Sequence, residues 1–531
     1  MKKFYITTPI YYVNAAPHIG HTYTTVAADV LARFHRMTGD KTFFSAGTDE
    51  HGAKIEEIAI KAGKEPREFV NEVAAFFQFA WDELNISHDR FIRTTEEGHM
   101  KAVQNALRFM HDKGDIYKGA YEGLYCRQCE QYKSEKDLVD GMCPDHKVEP
   151  EKMSEECYMF KMSAYQGELL KKIESDEFRI LPVEKKNEIV SFLKNEKLQD
   201  VSFSRKNVKW GIPLLWDRSQ TTYVWADAFL NYLTGLGWDG KIPLTPFIQR
   251  GQEEISPLHK GDGGGLNFWP PDVQLMSKDI LRVHATIWPA MLMSLGIPLP
   301  KAIFVHGFFL IDGQKMSKSL GNVIAPADLV KRYGVDGARY LLMSATTFGH
   351  DGDVGWKFFD EKYNADLANG IGNLVARSIT LAEKMNSAPF IKGGEGDSIL
   401  PPLTKGGRGD LMLEVWKKYE EKLKNIEIDK SLEIINEQVK FLDNYITTTK
   451  PWELIKNKDE RTGSIMYNIL ERIRHIALMI YPFMPETAGK IYESLGLGAI
   501  ESVEFEEAIK WGGLPVDAKV KKGEILFPRL F

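Results

Sequence analysis

The chain has few cysteines and no long apolar run. Only four cysteines occur in 531 residues, and three of them lie between positions 126 and 143. This excludes a disulfide scaffold, and in a reducing compartment clustered cysteines favour a metal site. The most apolar stretch, 287–311, is interrupted by three prolines, a lysine and a histidine, so we expect no membrane contact. No apolar segment follows the basic start at 1–3, which predicts a cytoplasmic protein without a secretory signal.

The chain also has no excess of positive charge and no internal repeats. The net charge is −6, so a general polyanion binder is excluded and any contact with nucleic acid must come from local patches. No G-x-G-x-x-G follows the first predicted strand, which disfavours a dinucleotide site. The composition, 43% hydrophobic and 27% charged, is globular. At ~100–200 residues per domain, the length predicts three or four domains.

The N-terminal pattern predicts strand, helix and strand. Residues 4–8 are short and β-prone, 11–17 read as a loop, and 42–45 form a second strand. A helix is predicted from about residue 21 to Gly39, with apolar residues four apart at Val26, Val30 and Phe34. A βαβ unit of this kind starts a doubly wound parallel sheet, so the predicted fold class is α/β and Rossmann-like.

The C-terminal third has a different pattern. Apolar residues recur there at helical spacing in two runs: Ile428, Leu432, Ile435, Val439, Leu442 and Ile446, then Ile469, Ile473, Ile476 and Ile480. Such amphipathic helices need partners, which predicts an α-helical bundle. A segment rich in Lys, Glu and Tyr, with the cysteine cluster, reads as an insertion. We therefore divide the chain into 1–115, the insertion 116–204, 205–307, a linking segment 308–360, and the bundle 361–531.

Two short motifs indicate binding of a polyphosphate. The first, His18-Ile19-Gly20-His21, lies where the first strand passes into the helix. A helix N-terminus attracts phosphate, glycine permits close approach, and two imidazoles can donate hydrogen bonds. The second, Lys315-Met316-Ser317-Lys318-Ser319, is a cationic loop able to close over phosphates. A solvated basic turn is the ordinary alternative for a lysine pair, but the two motifs together are specific.

A third motif has the spacing of metal ligands. Cys126-x2-Cys129 and Cys143-x2-His146 are two chelating pairs, and together they predict one tetrahedral zinc ion per chain. All four positions would be protein ligands, which is typical of a structural site rather than a catalytic one. The alternative is a loop with free thiols.

The two phosphate motifs match the two signatures of the class I aminoacyl-tRNA synthetases, and the chain resembles that class. Nearly the whole chain resembles the methionyl-tRNA synthetase family within it. The matching blocks are Gly47-Thr48-Asp49-Glu50-His51-Gly52, Trp210-Gly211-Ile212-Pro213, Tyr223-Val224-Trp225-Ala226-Asp227-Ala228, Lys278-Asp279-Ile280-Leu281-Arg282 and Asn364-Ala365-Asp366-Leu367-Ala368-Asn369.

The resemblance implies a set of site residues. Asp49 would pair with the methionine ammonium, and a polar contact from Tyr12 or His284 to the sulfur would add discrimination. The remaining methionine pocket would comprise Ile10, Trp225, Ala228, Tyr232 and Ile280. ATP, accompanied by Mg²⁺, would be bound by His18, Gly20, His21, Asp279, His306 and Lys318, with His18, His21, Lys315 and Lys318 catalytic. The family usually has glycine where this chain has Ser277. The anticodon would be read by Asn373, Arg377 and Trp452.

The implied reaction is the family's: methionine and ATP give methionyl-adenylate and pyrophosphate, and methionine then passes to the 3′ end of a methionine tRNA with a CAU anticodon. The expected protein is a monomer. Two alternatives are left open. Cytidylyltransferases also carry a His-x-Gly-His signature, but they need no long segment after the lysine loop. A non-catalytic tRNA-binding relative would be expected to have lost signature residues, and none is lost.

Overall fold

The computed structural model describes residues 2–126, 131–133, 135, 138–144, 147–241, 266–316, 321–385, 390–392 and 408–530. For residues 121, 122, 131–133, 153–155, 315 and 408 it describes the backbone alone. None of the helices in these ranges is long and apolar enough to cross a bilayer.

Sixteen strands lie within the described ranges. They are β1 (Lys3–Thr7), β2 (Tyr11–Tyr12), β3 (Lys41–Asp49), β4 (Arg90–Arg93), β5 (Ile116–Cys126), β6 (Gln131–Lys133), β7 (Glu151–Phe160), β8 (Arg179–Leu181), β9 (Val201–Ser202), β10 (Ser204–Arg205), β11 (Thr221–Thr222), β12 (Val273–Ser277), β13 (Ala302–His306), β14 (Phe309–Ile311), β15 (Gln314–Lys315) and β16 (Gly352–Asp353).

Helices surround these strands and make up most of the C-terminal part. The first eight are α1 (Ile19–Met37), α2 (Ala53–Lys61), α3 (Pro66–Glu83), α4 (Glu97–Asp112), α5 (Gln166–Glu174), α6 (Val183–Asn195), α7 (Val224–Ala228) and α8 (Asn231–Thr234). Later helices span Leu281–Leu295, Pro326–Ser344, Trp356–Lys362, Asn373–Glu383, Arg408–Lys424, Ile428–Thr449, Pro451–Asn457, Thr462–Ile480, Pro485–Ser494 and Phe505–Ala508, with a π-helical segment at Tyr363–Gly372.

The central sheet confirms the predicted α/β class. Its strands run in the order β2-β3-β1-β12-β13-β8, β4 also pairs with β3, and every pairing is parallel. The chain leaves β1 for β3 on one side and later returns to pair β12 on the other. Ligands bind at the carboxyl ends of parallel strands where the strand order reverses in this way. The edge beside β1 is therefore where a substrate site is expected.

The boundaries of the first βαβ unit differ from the sequence prediction. The helix α1 begins at Ile19, two residues early, because the side chain of His18 caps it. Residues predicted as a loop include β2, which pairs with Thr48 and Asp49. The second strand continues past its predicted end to Asp49. This extension carries the Asp49 carboxylate to the edge of the sheet.

The segment 116–204 contains a separate antiparallel sheet. Its order is β6-β5-β7-β9, and β5 pairs with β7 along its whole length, from Ile116 opposite Phe160 to Tyr125 opposite Glu151. Later in the same segment, β8 belongs not to this sheet but to the central sheet, where it pairs with β13. The chain thus returns to the central sheet before residue 204.

The C-terminal helices pack directly against the part of the chain that contains the parallel sheet. Both apolar runs identified in the sequence lie on helices, Ile428–Thr449 and Thr462–Ile480, and their apolar residues are buried. One apolar core continues from α1 into these helices. Arg339 is buried completely at the junction, where its Nη2 bonds Asp29 of α1 at 2.6 Å and its Nε donates to the Phe483 carbonyl at 2.8 Å.

Candidate active site

A cavity of about 670 Å³ opens at the carboxyl edge of the central sheet, beside β1. It gathers thirteen of the residues implied by the family resemblance, although they come from distant parts of the sequence. Those residues are Ile10, Tyr12, His18, Gly20, His21, Asp49, Trp225, Ala228, Tyr232, Asp279, Ile280, His284 and His306. Of the two lysines of the second motif, the side chain of Lys315 and all of Lys318 lie outside the described residues.

One end of the cavity is formed by the first turn of α1. The Gly20 N–H donates to Nδ1 of His18 at 3.0 Å, and the His18 N–H donates to Nδ1 of His21 at 3.3 Å. The two rings stack with centroids 3.9 Å apart. A Cβ on Gly20 would lie 2.8 Å from Cε1 of His18, so glycine is needed for this packing.

The turn also fixes the chemistry of the two rings. A neutral imidazole whose Nδ1 accepts a hydrogen bond carries its proton on Nε2, where it can act as a donor. Burial, with a smaller effect from neighbouring His18, holds the pKa of His21 well below its usual value. His21 is therefore neutral at physiological pH. Neutral N–H donors next to a helix N-terminus suit the oxygens of a phosphate group.

His306 lines the cavity and is held by two neighbours. Its Nδ1 lies 2.7 Å from the Gly307 carbonyl and therefore donates, which leaves Nε2 to accept from the Thr24 hydroxyl at 2.7 Å. Burial lowers the pKa of His306 to about 4. Nearby, the Ser277 hydroxyl donates to the carboxylate of Asp279. The serine found in place of the usual glycine thus orients Asp279, one of the residues predicted to bind ATP.

The other end of the cavity is aromatic. Ring contacts connect Trp225 to Phe229 and both of them to His284. Nδ1 of His284 donates to the Ile280 carbonyl at 2.9 Å, and Nε2 accepts from the Tyr232 hydroxyl at 2.9 Å. Burial lowers the pKa of His284 to about 4, so the ring is neutral. These bonds use both ring nitrogens, which places His284 as a support for Tyr232 rather than as a donor to a thioether.

Asp49 lies at the last position of β3, between the two ends of the cavity. Its residue is 8% exposed and lines the cavity. A carboxylate in a largely apolar enclosure attracts a positively charged ligand group. This placement agrees with the predicted contact to a substrate ammonium.

The lysine motif begins in a hairpin next to the cavity. The strands β14 and β15 pair antiparallel around Asp312 and Gly313, whose φ angles of +52° and +72° form a tight turn. Met316 lines the cavity. The side chain of Lys315 and the residues 317–320, which include Lys318, lie outside the described residues. The predicted contact of these lysines with phosphate stays a prediction.

The predicted zinc ligands fall partly within the described residues. Cys126, at the end of β5, and Cys143 are both fully buried. Cys143 lies in a tight turn, where its carbonyl accepts from the Lys147 N–H at 2.7 Å and its N–H donates to the Val148 carbonyl at 2.8 Å. Cys129 and His146 lie outside the described residues. Among those described, no group of three or more His, Cys, Asp or Glu residues is placed to hold a metal.

The three residues predicted to read the anticodon all lie in the helical part. Asn373 begins the helix Asn373–Glu383, which also carries Arg377, and Trp452 lies in the first turn of Pro451–Asn457. The Arg377 guanidinium lies 5.1 Å from the centroid of the Trp452 ring, and Trp452 is 38% exposed. An exposed indole with an arginine beside it can stack on an unpaired base.

Among the cavity residues that the sequence analysis missed are Thr24, Phe229 and Lys54. Thr24 follows His21 by three residues, so it lies on the same helix face, and this spacing could have indicated it. Phe229 follows Ala228 directly. Lys54 lies near the cavity mouth with its Nζ 6.0 Å from the centroid of the Tyr12 ring. No sequence signal identified Lys54.

Comparison with known proteins agrees with this geometry. Residues 4–153 and 145–379 match the model of a family described as class I tRNA synthetases (M). Residues 409–530 match the anticodon binding domain of methionyl tRNA ligase. The chain belongs to the methionyl-tRNA synthetase family.

Relatives in this family match along the whole chain. The methionine–tRNA ligase of Clostridium acetobutylicum is 43% identical over 535 residues, which cover 100% of this chain and 78% of that protein. The methionine–tRNA ligase of Streptomyces coelicolor is 39% identical over 546 residues and is covered to 97%.

Solved structures of the family have the same fold. Methionyl-tRNA synthetase of Mycobacterium tuberculosis in complex with methionyl-adenylate superimposes with a TM-score of 0.88 at 34% identity, covering 100% of both chains. The apo form of that enzyme gives a TM-score of 0.81 at 32% identity, covering 100% of this chain and 99% of the other.

Proposed function

We propose that the protein is an ATP-dependent methionine–tRNA ligase. It activates methionine to methionyl-adenylate and transfers the methionyl group to the 3′ end of methionine tRNA. The observation that carries this proposal is the single cavity in which a helix turn suited to phosphate and an aromatic pocket face the same space. An apolar, aromatic pocket favours a thioether through sulfur–aromatic contacts.

The first half-reaction needs positioning more than proton transfer. The methionine carboxylate attacks the α-phosphorus of ATP, an O–P bond forms, and the bond to pyrophosphate breaks. Because the nucleophile is already an anion, the protein has to align the groups and offset the charge that develops on the phosphate oxygens. His18 and His21 donate to those oxygens from the α1 turn, and Asp49 holds the ammonium. Lys315 and Lys318 close over the pyrophosphate. Mg²⁺ enters with ATP and shields its oxygens.

In the second half-reaction, the 2′-hydroxyl of the terminal tRNA ribose attacks the methionyl carbonyl and AMP leaves. Asp279, oriented by Ser277, and His306 hold the adenosine during both steps. Two alternatives were drawn from the sequence, a cytidylyltransferase and a non-catalytic tRNA binder. Neither function requires the aromatic end of the cavity.

The deciding experiment is ATP–pyrophosphate exchange with and without methionine. We expect exchange that depends on methionine, followed by charging of a methionine tRNA. Exchange that requires a nucleotide other than ATP would indicate the transferase. Binding of tRNA without any exchange would indicate the non-catalytic relative.

We also propose that Cys126, Cys129, Cys143 and His146 bind one structural zinc ion. Buried thiolates are soft donors that suit zinc, and the first and third of these positions are buried. We expect one zinc per chain by metal analysis, and Cys143→Ser should lose it and unfold at a lower temperature. Cys157→Ser is the matched control, because Cys157 is also buried in this segment but is not a predicted ligand. Equal zinc content in both variants would contradict the assignment.

Asn373, Arg377 and Trp452 read the anticodon in this proposal. Trp452→Ala should leave pyrophosphate exchange within about twofold and reduce tRNA charging by about 10-fold to 100-fold, since stacking contributes ~1–3 kcal/mol per base. The two half-reactions, measured separately, check this. A methionine tRNA with a changed anticodon should be charged equally poorly by both proteins. An equal loss in both half-reactions would make Trp452 a structural residue.

Three further points complete the proposal. The two catalytic halves are residues 1–115 and 205–307, and the zinc insertion 116–204 lies between them. Residues 308–360 form the lysine-loop and stem-contact segment, and residues 361–531 form the anticodon domain. The protein acts in the cytoplasm. It is a monomer, and light scattering of the purified protein will check this oligomeric state.

A further inference from the structure

A buried hydrogen-bonded cluster lies behind the aromatic end of the cavity, and the proposed reaction does not use it. Both oxygens of the Asp227 carboxylate are engaged, Oδ2 with Nδ1 of His51 at 2.6 Å and Oδ1 with Nε2 of His99 at 2.7 Å. Nδ1 of His99 lies 2.7 Å from the Thr234 hydroxyl. All four residues are buried. We call His51, His99, Asp227 and Thr234 the back cluster.

The donors in the back cluster follow from the carboxylate. An ionised carboxylate can only accept, so His51 donates through Nδ1–H and His99 through Nε2–H. Burial alone would raise the pKa of Asp227, but His51 and His99 together hold it below its usual value. The Asp227 carboxylate is therefore ionised and paired, as a buried charge must be.

The back cluster joins the two sides of the pocket. Asp227 lies on α7 between two residues of the cavity, Trp225 and Ala228, while its own side chain points away from the cavity. His51 lies two residues after Asp49, which also lines the cavity. The bond from Asp227 to His51 thus spans from the helix that carries the aromatic wall to the strand end that carries the carboxylate.

The wall needs such a support because its own helices are very short. The helices α7 and α8 have five and four residues, and helices of this length are unstable without tertiary contacts. They supply Trp225, Ala228 and Tyr232 to the cavity. Asp227 ties α7 to the segment that follows β3 and to α4, and Thr234 ties α8 to α4.

We propose that Asp227, bonded to His51 and His99, is a positioning residue that holds the aromatic wall at a fixed distance from Asp49 and thereby sets the affinity for the amino acid. The proposal rests on the proposed function, in which this end of the cavity binds methionine. It assigns no contact between the back cluster and substrate. Its effect should fall on methionine and not on ATP, because ATP is assigned to the α1 turn.

The first test is Asp227→Asn in the full-length protein. An amide places N–H donors against a histidine N–H, so one bond is lost and the wall can shift. We expect the KM for methionine to rise about tenfold or more, since small displacements at a binding site are costly, while the KM for ATP stays within about twofold. Equal changes in both KM values, or no change in either, would overturn the proposal.

Rescue by a conservative variant separates positioning from general stability. The amide nitrogen of asparagine lies as many bonds from Cα as Nδ1 of histidine does, so His51→Asn keeps a donor toward Asp227 and His51→Ala does not. We expect His51→Asn to bind methionine within about threefold of wild type and His51→Ala about tenfold more weakly, both by calorimetry. If the two His51 variants bind methionine equally weakly, the back cluster is a stability element only. The same conclusion follows if both of them and Asp227→Asn fail to fold.

A matched control exists at the far end of α1. His35 and Asp40 form a similar pair, with Nδ1 and Oδ2 2.7 Å apart, about 25 Å along the helix from His18. Asp40→Asn should leave the affinity for methionine unchanged. If wild type itself fails to bind methionine, the proposed function fails and this proposal fails with it; if wild type binds methionine and Asp227→Asn binds equally well, only this proposal fails.

Discussion

At the phosphate end of the cavity, His18 and His21 belong to a single turn of α1, whereas His284 at the aromatic end is held by the Ile280 carbonyl and by Tyr232 from another helix. The first pair of rings uses Nδ1 within the turn, so that Nε2 carries the proton that can be donated. His284 uses both ring nitrogens on protein groups. The same residue type therefore has a ring N–H available for donation at one end and is a structural support at the other.

The two ends also differ in how they depend on the rest of the fold. The two histidines of the phosphate end are placed once one strand passes into one helix. The aromatic end needs α7, α8, the helix Leu281–Leu295 and the end of β3 to meet. We expect changes in the α1 turn to alter the rate of phosphate chemistry, and changes around the aromatic end to alter substrate affinity.

The substitution expected to have the largest effect is His21→Ala, which tests whether the α1 turn controls the rate of phosphate chemistry. It should lower the rate of adenylate formation by about 10²–10³, because loss of one donor to a developing charge costs that much, and it should leave the affinity for methionine unchanged. Single-turnover measurement of adenylate formation checks both. His21→Gln is the control, since its amide retains an N–H near the position of Nε2 and should recover part of the rate. A near-normal rate in His21→Ala would remove the catalytic assignment.

A smaller effect is expected from Gly20→Ala. The added methyl group would lie 2.8 Å from Cε1 and 3.0 Å from Nδ1 of His18, so the ring must move. Displacement of a donor by about 1 Å costs up to ~100-fold in rate, and we expect a loss of about 10-fold to 100-fold in pyrophosphate exchange. Gly98→Ala in α4 is the matched control, because a Cβ there meets nothing within 4 Å. It should keep full activity, and equal losses in both variants would argue against a special role for Gly20.

The smallest effect is expected from Tyr232→Phe, which sharpens the contrast at the aromatic end. Nε2 of His284 would lose its donor and remain buried, and an unsatisfied buried acceptor costs ~1–3 kcal/mol. We expect the KM for methionine to rise about fivefold while kcat changes little. Tyr340→Phe also removes a buried hydroxyl, one bonded to Asp366 at 3.0 Å in the helical part, and should lower thermal stability without changing this KM. The same KM in both variants would show that the Tyr232 hydroxyl is not needed.

The local phosphate end could be predicted from the sequence by physical reasoning. The pattern His18 to His21 at a strand–helix junction is contiguous, and its geometry follows from helix capping. The parallel sheet and the helical C-terminal part were likewise indicated by periodicity. The predicted start of α1 is less accurate and falls two residues late. The side chain of His18 caps this helix, and histidine is not among the common capping residues.

The aromatic end could not be derived in the same way. Tyr12, Trp225 and His284 are more than 50 residues apart in the sequence, and nothing in their spacing brings them together. The resemblance to the family placed them in one pocket, and the structure agrees in position. It did not indicate that the Tyr232 hydroxyl would donate to Nε2 of His284, because that depends on how the short helix α8 packs against the helix Leu281–Leu295.

The burial of Arg339 has a consequence for any attempt to divide the protein. Its guanidinium bonds Asp29 of α1 on one side and the carbonyls of Phe483 and Pro482 on the other, and no part of its side chain is exposed. A fragment that ended before residue 482 would leave this buried cation with half of its partners. The helix that begins at the phosphate site is therefore completed by residues from the far end of the chain, and the smallest unit that can be expressed in a native state includes both.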